Sequence, residues 1–166
     1  QAGGSIITIT SIIIPLALTM LVYGIFSILS EIRGNGEALV GYAKIPMLIG
    51  LAGWTYVAAI GITITNWAGG DAGAFITIWG AGQAAQIMFS LGFTAAFLAI
   101  ASRDEYNSTL AYIAAAIALL ATILSIVQLV TNDGNTASTM SLIVGVTYII
   151  HTIYAIYIGR GLLSRA

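Results

Sequence analysis

The 166-residue sequence has little charge and no cysteine. Charged residues make up 7% of it, against roughly 25% in an ordinary soluble domain. The absence of cysteine excludes disulfide bonds, thiolate nucleophiles and cysteine-ligated metal or iron–sulfur centres. The net charge of −1 offers none of the basic excess that a strong nucleic-acid binder carries.

Hydrophobic residues, in contrast, are abundant. They make up 59% of the chain, and the mean hydropathy is +1.01. A soluble globule of this size still exposes roughly a third of the surface of its unfolded chain, and polar groups must cover that surface. Because this chain lacks such groups, the sequence predicts a membrane protein or a close-packed assembly of identical subunits.

Five apolar runs approach or exceed the roughly 20 residues that a helix needs to cross a bilayer. Isoleucine and threonine favour strands in water, but these runs are about twice the length of a membrane strand and lack its alternation. A helix also satisfies its own backbone in lipid. We therefore predict an all-α fold, with one hydrophobic helical domain over residues 1–166. The predicted spans are Ser5–Leu29, Ile45–Trp67, Phe75–Ala101, Thr109–Val130 and Ser141–Ile158.

A four-helix bundle is the alternative, with the first or third run peripheral or broken. Pro15 permits a kink in the first run. Gly80, Gly82, Gln83 and Gln86 make the beginning of the third run the least lipid-like stretch.

The five cations fall in alternate segments. Arg33 and Lys44 lie in the first connection, Arg103 in the third, and Arg160 and Arg165 at the C-terminus. With five spans, these segments share one side of a membrane. The positive-inside rule then predicts an N-terminus outside and a C-terminus inside. The five cations are candidate contacts to the phosphates of anionic lipid headgroups.

No acidic residue falls within a predicted span, although proton pumps and rotary-ring subunits need a carboxylate there. The acids all lie in connections: Glu31, Glu37, Asp71, Asp104, Glu105 and Asp133. His151 is the one candidate ligand inside a span, and a metal or haem centre needs several converging donors. We expect His151 to be a neutral side chain bonded to Tyr148, Thr147 or a glutamine. We predict no catalytic residue, no metal site, no cofactor and no enzyme activity.

Other polar and small residues are expected to hold helices together. Gln83, Gln86 and Gln128 could line a pore, but hydrogen bonds between helices are the more common use of an amide in a bilayer. Small residues permit close packing of helices, within one chain or between chains. They recur as Ala111 with Ala115, Ala114 with Ala118, Ala118 with Thr122, and the series Gly50, Gly53 and Gly61.

The aromatic residues divide by depth. Trp67, Tyr42, Tyr106 and Tyr112 fall near the ends of predicted spans, where aromatic rings anchor at the membrane interface. Trp54 and Trp79 lie deeper, and we expect them to pack between helices.

Three classes of function fit this sequence: a self-assembling structural subunit, a non-catalytic polytopic subunit of a larger respiratory or transport complex, or a transporter, channel or enzyme acting alone. The third is the weakest because the spans carry no charge or donor cluster. The uniformly apolar spans suit a subunit surrounded by its own copies, and they suit a passive accessory subunit equally.

In its nearly uncharged helices, its Ile, Ala, Gly and Tyr bias and the apparently processed start Gln1-Ala2-Gly3-Gly4, the chain resembles the hydrophobic helical capsid proteins of archaeal spindle-shaped viruses. The resemblance implies a homopolymer that inserts in the host membrane and then packs into a lemon-shaped or tubular virion shell around DNA. The side of the protein that carries the five cations would then contact the genome weakly and without sequence preference. No small-molecule substrate is expected.

Overall fold

The computed structural model describes residues 2–64, 72–131 and 133–163, which form five α-helices and one short 3-10 turn. The helices are α1 (Ala2–Glu31), α2 (Glu37–Thr63), α3 (Ala72–Ala101), α4 (Ser108–Val130) and α5 (Gly134–Leu163), and the turn is Asp104–Tyr106. All five helices are long and apolar enough to cross a membrane. The prediction of an all-α bundle of five hydrophobic, membrane-type helices is confirmed, and the four-helix alternative is wrong.

Hydroxyl side chains explain how a sequence rich in isoleucine and threonine forms helices. Thr10 and Thr55 each donate a hydrogen bond to the carbonyl oxygen four residues earlier, at 2.9 Å. Thr19 donates to the carbonyl of Pro15 at 2.8 Å, and α1 continues through that proline. Because each hydroxyl bonds to its own helix, no other partner is needed in an apolar surrounding.

Helix α2 begins at Glu37, earlier than the predicted start at Ile45. The chain reverses tightly before it because Gly34 and Gly36 take positive φ angles of 72° and 90°. A Cβ atom at Gly36 would also lie 2.6 Å from Ser102 Oγ, so only glycine fits there. The Glu37 carboxylate accepts a hydrogen bond from the Gly34 nitrogen at 3.0 Å. The polar residues after this turn therefore belong to the helix.

Helix α5 also begins earlier than predicted, at Gly134 rather than Ser141. Asp133 precedes it and accepts a hydrogen bond from the backbone nitrogen of Thr136 at 2.8 Å, as well as one from the Thr136 hydroxyl. These two hydrogen bonds, the hydroxyl's first, lower the pKa of the exposed Asp133 carboxyl below its usual 3.8. Asp133 thus caps the start of the helix.

Helix α3 forms the centre of the bundle. In its most apolar stretch 67% of the residues are buried, against 17–39% in the other four helices. Helices α2 and α4 pack along it. Phe89, Phe93 and Phe97 of α3 are at most 1% exposed, with ring centroids 4.8 and 5.4 Å apart along the series. The Phe97 ring also contacts Tyr154 of α5 at 5.5 Å.

Glycines let α2 and α3 approach each other closely. A Cβ atom at Gly50 would lie 2.9 Å from the Cα atom of Phe89, and one at Gly92 would lie 2.9 Å from the backbone nitrogen of Met47. Gly53 is equally close to α3. Residues nearer the end of α2 contact residues nearer the start of α3, so the two helices are antiparallel. Part of the predicted glycine series therefore packs within one chain.

The predicted alanine face of α4 packs within the same chain. It is at most 5% exposed along Ala111, Ala114, Ala115, Ala118 and Thr122. Gly61 of the predicted glycine series differs, because a Cβ atom there would meet nothing closer than Ser11 Oγ at 3.7 Å. Close helix packing is thus concentrated in the α2–α3–α4 core.

The outer surface of the bundle is hydrophobic. Between residues 6 and 21 of α1, no side chain that the structure describes is buried. Met20 is 76% exposed, Leu142 of α5 is 73% exposed, and many isoleucine side chains are also more than half exposed. The chain exposes 9278 Å², more than the about 7,800 Å² expected for a compact globule of this mass.

Candidate functional site

Hydrogen bonds gather the ends of the helices at one end of the bundle. The Tyr106 hydroxyl donates to Glu31 Oε2 at 3.2 Å, and the Tyr106 carbonyl accepts from the Tyr154 hydroxyl at 3.1 Å. Ser102 Oγ donates to the carbonyl of Asn35 at 3.0 Å. These contacts join the ends of α1, α3 and α5 to the starts of α2 and α4. We call this end, formed by residues 31–44, 102–108 and 157–163, the charged end.

Four of the five candidate cations lie at the charged end: Arg33, Lys44, Arg103 and Arg160. Arg165 lies outside the described residues. The prediction that Lys44 lies in the first connection is wrong, because α2 begins two turns before that residue. Arg160 belongs to the last turn of α5. The structure therefore brings cations from separate segments into one region.

The four cations differ in their contacts. Arg103 forms an ion pair with Glu105 at 3.1 Å, but both side chains are more than a third exposed, so water and salt weaken it. Lys44 Nζ lies 5.9 Å from the centroid of the Phe26 ring, at the limit of a cation–π contact. Arg33 and Arg160 are exposed and form no ion pair with any residue that the structure describes. These two guanidinium groups are accessible to an external anion.

Carboxylates offset the cations. The charged end also holds the acids Glu31, Glu37, Asp104 and Glu105. The positive and negative groups therefore nearly cancel at a distance, and an anion would be bound through local contacts rather than by a broad positive field. The described part of the opposite end contains no lysine or arginine, and Asp133 lies there.

Glutamines connect the helices in the apolar interior. The Tyr148 hydroxyl of α5 donates to Gln86 Oε1 of α3 at 2.6 Å, and Gln86 Nε2 donates to Ser90 Oγ at 3.2 Å. Gln128 of α4 donates to the carbonyl of Ala137 of α5 at 3.0 Å. The expectation that these glutamines bond helices together is confirmed for Gln86 and Gln128.

His151 lies in the core but with a partner different from those expected. Its Nε2 atom is 3.3 Å from the backbone carbonyl oxygen of Ala114. Its ring stacks on Phe93, with centroids 5.5 Å apart. Tyr148 bonds to Gln86 instead, so the expected side-chain partners are wrong. Among the described residues, Nδ1 of His151 has no hydrogen-bond partner, and no group of three or more His, Asp or Glu could hold a metal ion.

A neutral cavity of about 300 Å³ lies between α2, α3, α4 and α5. Its polar lining includes Gln83, Gln128, Ser141 and Tyr148, and none of its lining residues carries a full charge. The Gln83 Oε1 atom is buried and accepts no hydrogen bond from any described group. An uncharged donor such as water suits this acceptor, because an unsatisfied buried oxygen is costly.

Sequence reasoning missed the role of Tyr106. It was expected to be an interfacial aromatic, but it is 4% exposed and bonds to both α1 and α5. Trp54 packs against the core as expected, whereas Trp79 is 44% exposed and does not fit that prediction. Tyr106 lies among polar residues in the sequence. These neighbours do not indicate its two hydrogen-bond partners, which come from distant segments.

Fold and site together define a five-helix bundle whose helices could each cross a membrane, with charge concentrated at one end. No protein-family model, curated protein or solved structure matches the chain.

Proposed function

We propose that the protein is a structural, non-catalytic subunit that inserts in a membrane and assembles with copies of itself into a coat. The observation that carries this proposal is the hydrophobic outer surface. Exposed apolar side chains run along α1, α4 and α5. Examples are Met20, Ile123 and Ile153, one on each helix. A surface of this kind must be covered. Lipid covers it in the membrane, and copies of the chain cover it in the assembly.

The interior supports a structural role. Hydrogen bonds in the interior join helices, as in those of Gln86 with Tyr148 and of Gln128 with Ala137. Glycine and alanine faces fix the α2–α3–α4 core within one chain. The proposal includes no catalytic residue, no cofactor and no small-molecule substrate.

The distribution of charge supports an orientation. By the positive-inside rule, the charged end lies on the cytoplasmic side and the N-terminus outside. The resemblance to the capsid proteins of archaeal spindle-shaped viruses adds a second stage, in which the inserted chain becomes part of a virion shell around DNA. Its charged end then faces the genome. Because carboxylates offset the cations there, phosphate contact is weak and independent of sequence.

Gentle purification of the native assembly tests the proposed function. We expect a homopolymer with a repeating lattice in electron micrographs and with DNA inside it. A discrete complex of unlike subunits with haem or quinone would contradict the proposal and favour an accessory subunit of a larger respiratory or transport complex.

The role of the charged end has its own test. We would replace Arg33, Lys44, Arg103, Arg160 and Arg165 with glutamine and measure the DNA packaged per particle. We expect packaging to fall, because phosphate contacts are lost. The control replaces Glu37 and Asp104 with their amides, which keeps every cation and should keep or raise packaging, because fewer carboxylates then offset the cations. Unchanged packaging in the first variant would rule out the genome-facing role.

A further inference from the structure

A cavity of about 510 Å³ opens at the charged end beside the last turns of α5. It is lined by Glu105 and Tyr106 of the α3–α4 connection and by α5 residues between 153 and 161. Tyr106 is held from two sides, by its hydrogen bonds with Glu31 and Tyr154. The wall of the cavity is therefore fixed by contacts between distant segments.

The lining changes from charged to apolar along α5. Arg160 lies in the last turn of the helix, Tyr157 nearly one turn deeper, and Ile156 and Ile153 follow. The two isoleucines are 58% and 63% exposed. At 1.5 Å per residue, Ile153 lies about 10 Å from Arg160 along the helix axis. A guanidinium group at the membrane end and apolar side chains further in match the two parts of a lipid.

The charge of the cavity matches a single anion. Its charged lining residues are Glu105 and Arg160. Glu105 is already paired with Arg103 at 3.1 Å, whereas Arg160 forms no ion pair with any described residue. Arg160 is thus the cationic group of the lining that an external anion can contact, and one guanidinium group complements one phosphodiester group.

We infer that this cavity binds one anionic phospholipid, with its phosphate on Arg160 and the first part of an acyl chain against Ile156 and Ile153. A guanidinium group donates two parallel hydrogen bonds to a phosphate. Tyr157 lies between the two parts, at the level where tyrosines meet the membrane interface. The inference rests on the membrane insertion in the proposed function, but it does not require self-assembly.

Lipid retention by the whole chain tests the inference. The protein is transferred to detergent micelles with phosphatidylglycerol, and native mass spectrometry measures bound lipid per chain over a titration. We expect one retained lipid, and an affinity at least about tenfold weaker for Arg160→Gln. Arg33→Gln is the matched control, because it removes the same charge at the same end but outside the cavity; its affinity should equal that of the wild type. Ile156→Ser should weaken binding. Ile149→Ser, which changes an exposed residue of α5 that does not line the cavity, should leave binding unchanged.

Each of the following results would overturn the inference. Equal losses in Arg160→Gln and Arg33→Gln would indicate diffuse attraction. Equal retention of a neutral diacylglycerol with the same chains would exclude a role for phosphate, and effective competition by glycerol phosphate would indicate a site for free phosphate. Light scattering of the same samples reports assembly separately. Lipid binding by a chain that never assembles would contradict self-assembly alone, and an assembling chain without bound lipid would contradict this inference alone.

Discussion

The central helix α3 and the peripheral helix α1 differ in a way that is opposite to the pattern of a soluble protein. The most apolar stretch of α1 has a mean hydropathy of 2.4 with 22% of its residues buried, whereas that of α3 has 1.8 with 67% buried. The more hydrophobic helix is therefore the more exposed one. Lipid tails are as apolar as leucine, so hydrophobicity alone gives a membrane helix no reason to enter the core.

The difference shows which residues select the central helix. Helix α3 carries Gly92 for close approach to α2, three buried phenylalanines in mutual ring contact, and Gln86 with a partner on α5. The first half of α1 consists largely of isoleucine, leucine and threonine, and its hydroxyls bond to their own helix. Shape and hydrogen bonding thus determine burial in this bundle, and apolar side chains without such features face outward.

Truncation of one large side chain in each region should give the largest contrast. Phe93 is 1% exposed and Ile13 is 56% exposed. Phe93→Ala leaves a cavity, and we expect it to lower the free energy of unfolding by about 2–3 kcal/mol. The loss is smaller than in a soluble core, because moving an apolar side chain from the protein interior to lipid has almost no hydrophobic cost. Ile13→Ala should change it little. Titration with a denaturing detergent measures both, and equal losses would show that α1 is also packed.

The same substitution at two glycines of α2 should sharpen the contrast. Gly50→Ala places a Cβ atom 2.9 Å from the Cα atom of Phe89, whereas Gly41→Ala meets nothing within 4 Å. We expect the first to cost about 1–3 kcal/mol from overpacking. The second should be neutral or slightly stabilising, because alanine favours the helix. Thermal unfolding in detergent gives both values; similar melting temperatures would contradict the glycine seam between α2 and α3.

Removal of one hydroxyl group tests the polar contact between α3 and α5. Tyr148→Phe deletes the donor that lies 2.6 Å from Gln86 Oε1, and we expect a loss of about 1 kcal/mol. Tyr112→Phe removes the same atom from a side chain that is 56% exposed, and should cost nothing measurable. A double variant with Gln86→Leu should be less destabilised than the sum of the single variants; strict additivity would show that the two residues do not interact.

The smallest effect is expected at the helix cap on the surface. Hydrogen bonds from Thr136 lower the pKa of the Asp133 carboxyl below 3.8, so its contribution to stability is present above that pH and is lost as pH falls through the lowered value. Asp133→Ala should therefore be less stable than the wild type at neutral pH. The gap should narrow well below pH 3.8. Melting curves over this range measure it, and a gap independent of pH would exclude the charged cap.

Much of the fold could be predicted because run length decides it. The predicted ends of α3 and α4, at Ala101 and Val130, agree with the structure. The predicted starts of α2 and α5 are too late, because the polar residues at the beginning of these helices have the composition of connections. Near a membrane surface, water and headgroups satisfy such side chains, so polarity does not mark the end of a helix there.

The site was less predictable than the fold. The cations could be assigned to one end, because short connections between spans fix which segments are neighbours. The partners of His151 and Tyr106 could not. His151 bonds to a backbone carbonyl, that of Ala114, and every residue has such an acceptor, so the sequence carries no signal for the choice. The alanine face of α4 only makes that carbonyl approachable.

The central claim is that lipid or copies of the chain must cover the hydrophobic surface of this bundle. Its most direct test is the size of the protein after gentle, detergent-free release from the cells that make it, measured by analytical ultracentrifugation. We predict membrane fragments or large homopolymers and no freely dissolved single chain. A monodisperse soluble species of 17.2 kDa would contradict the claim.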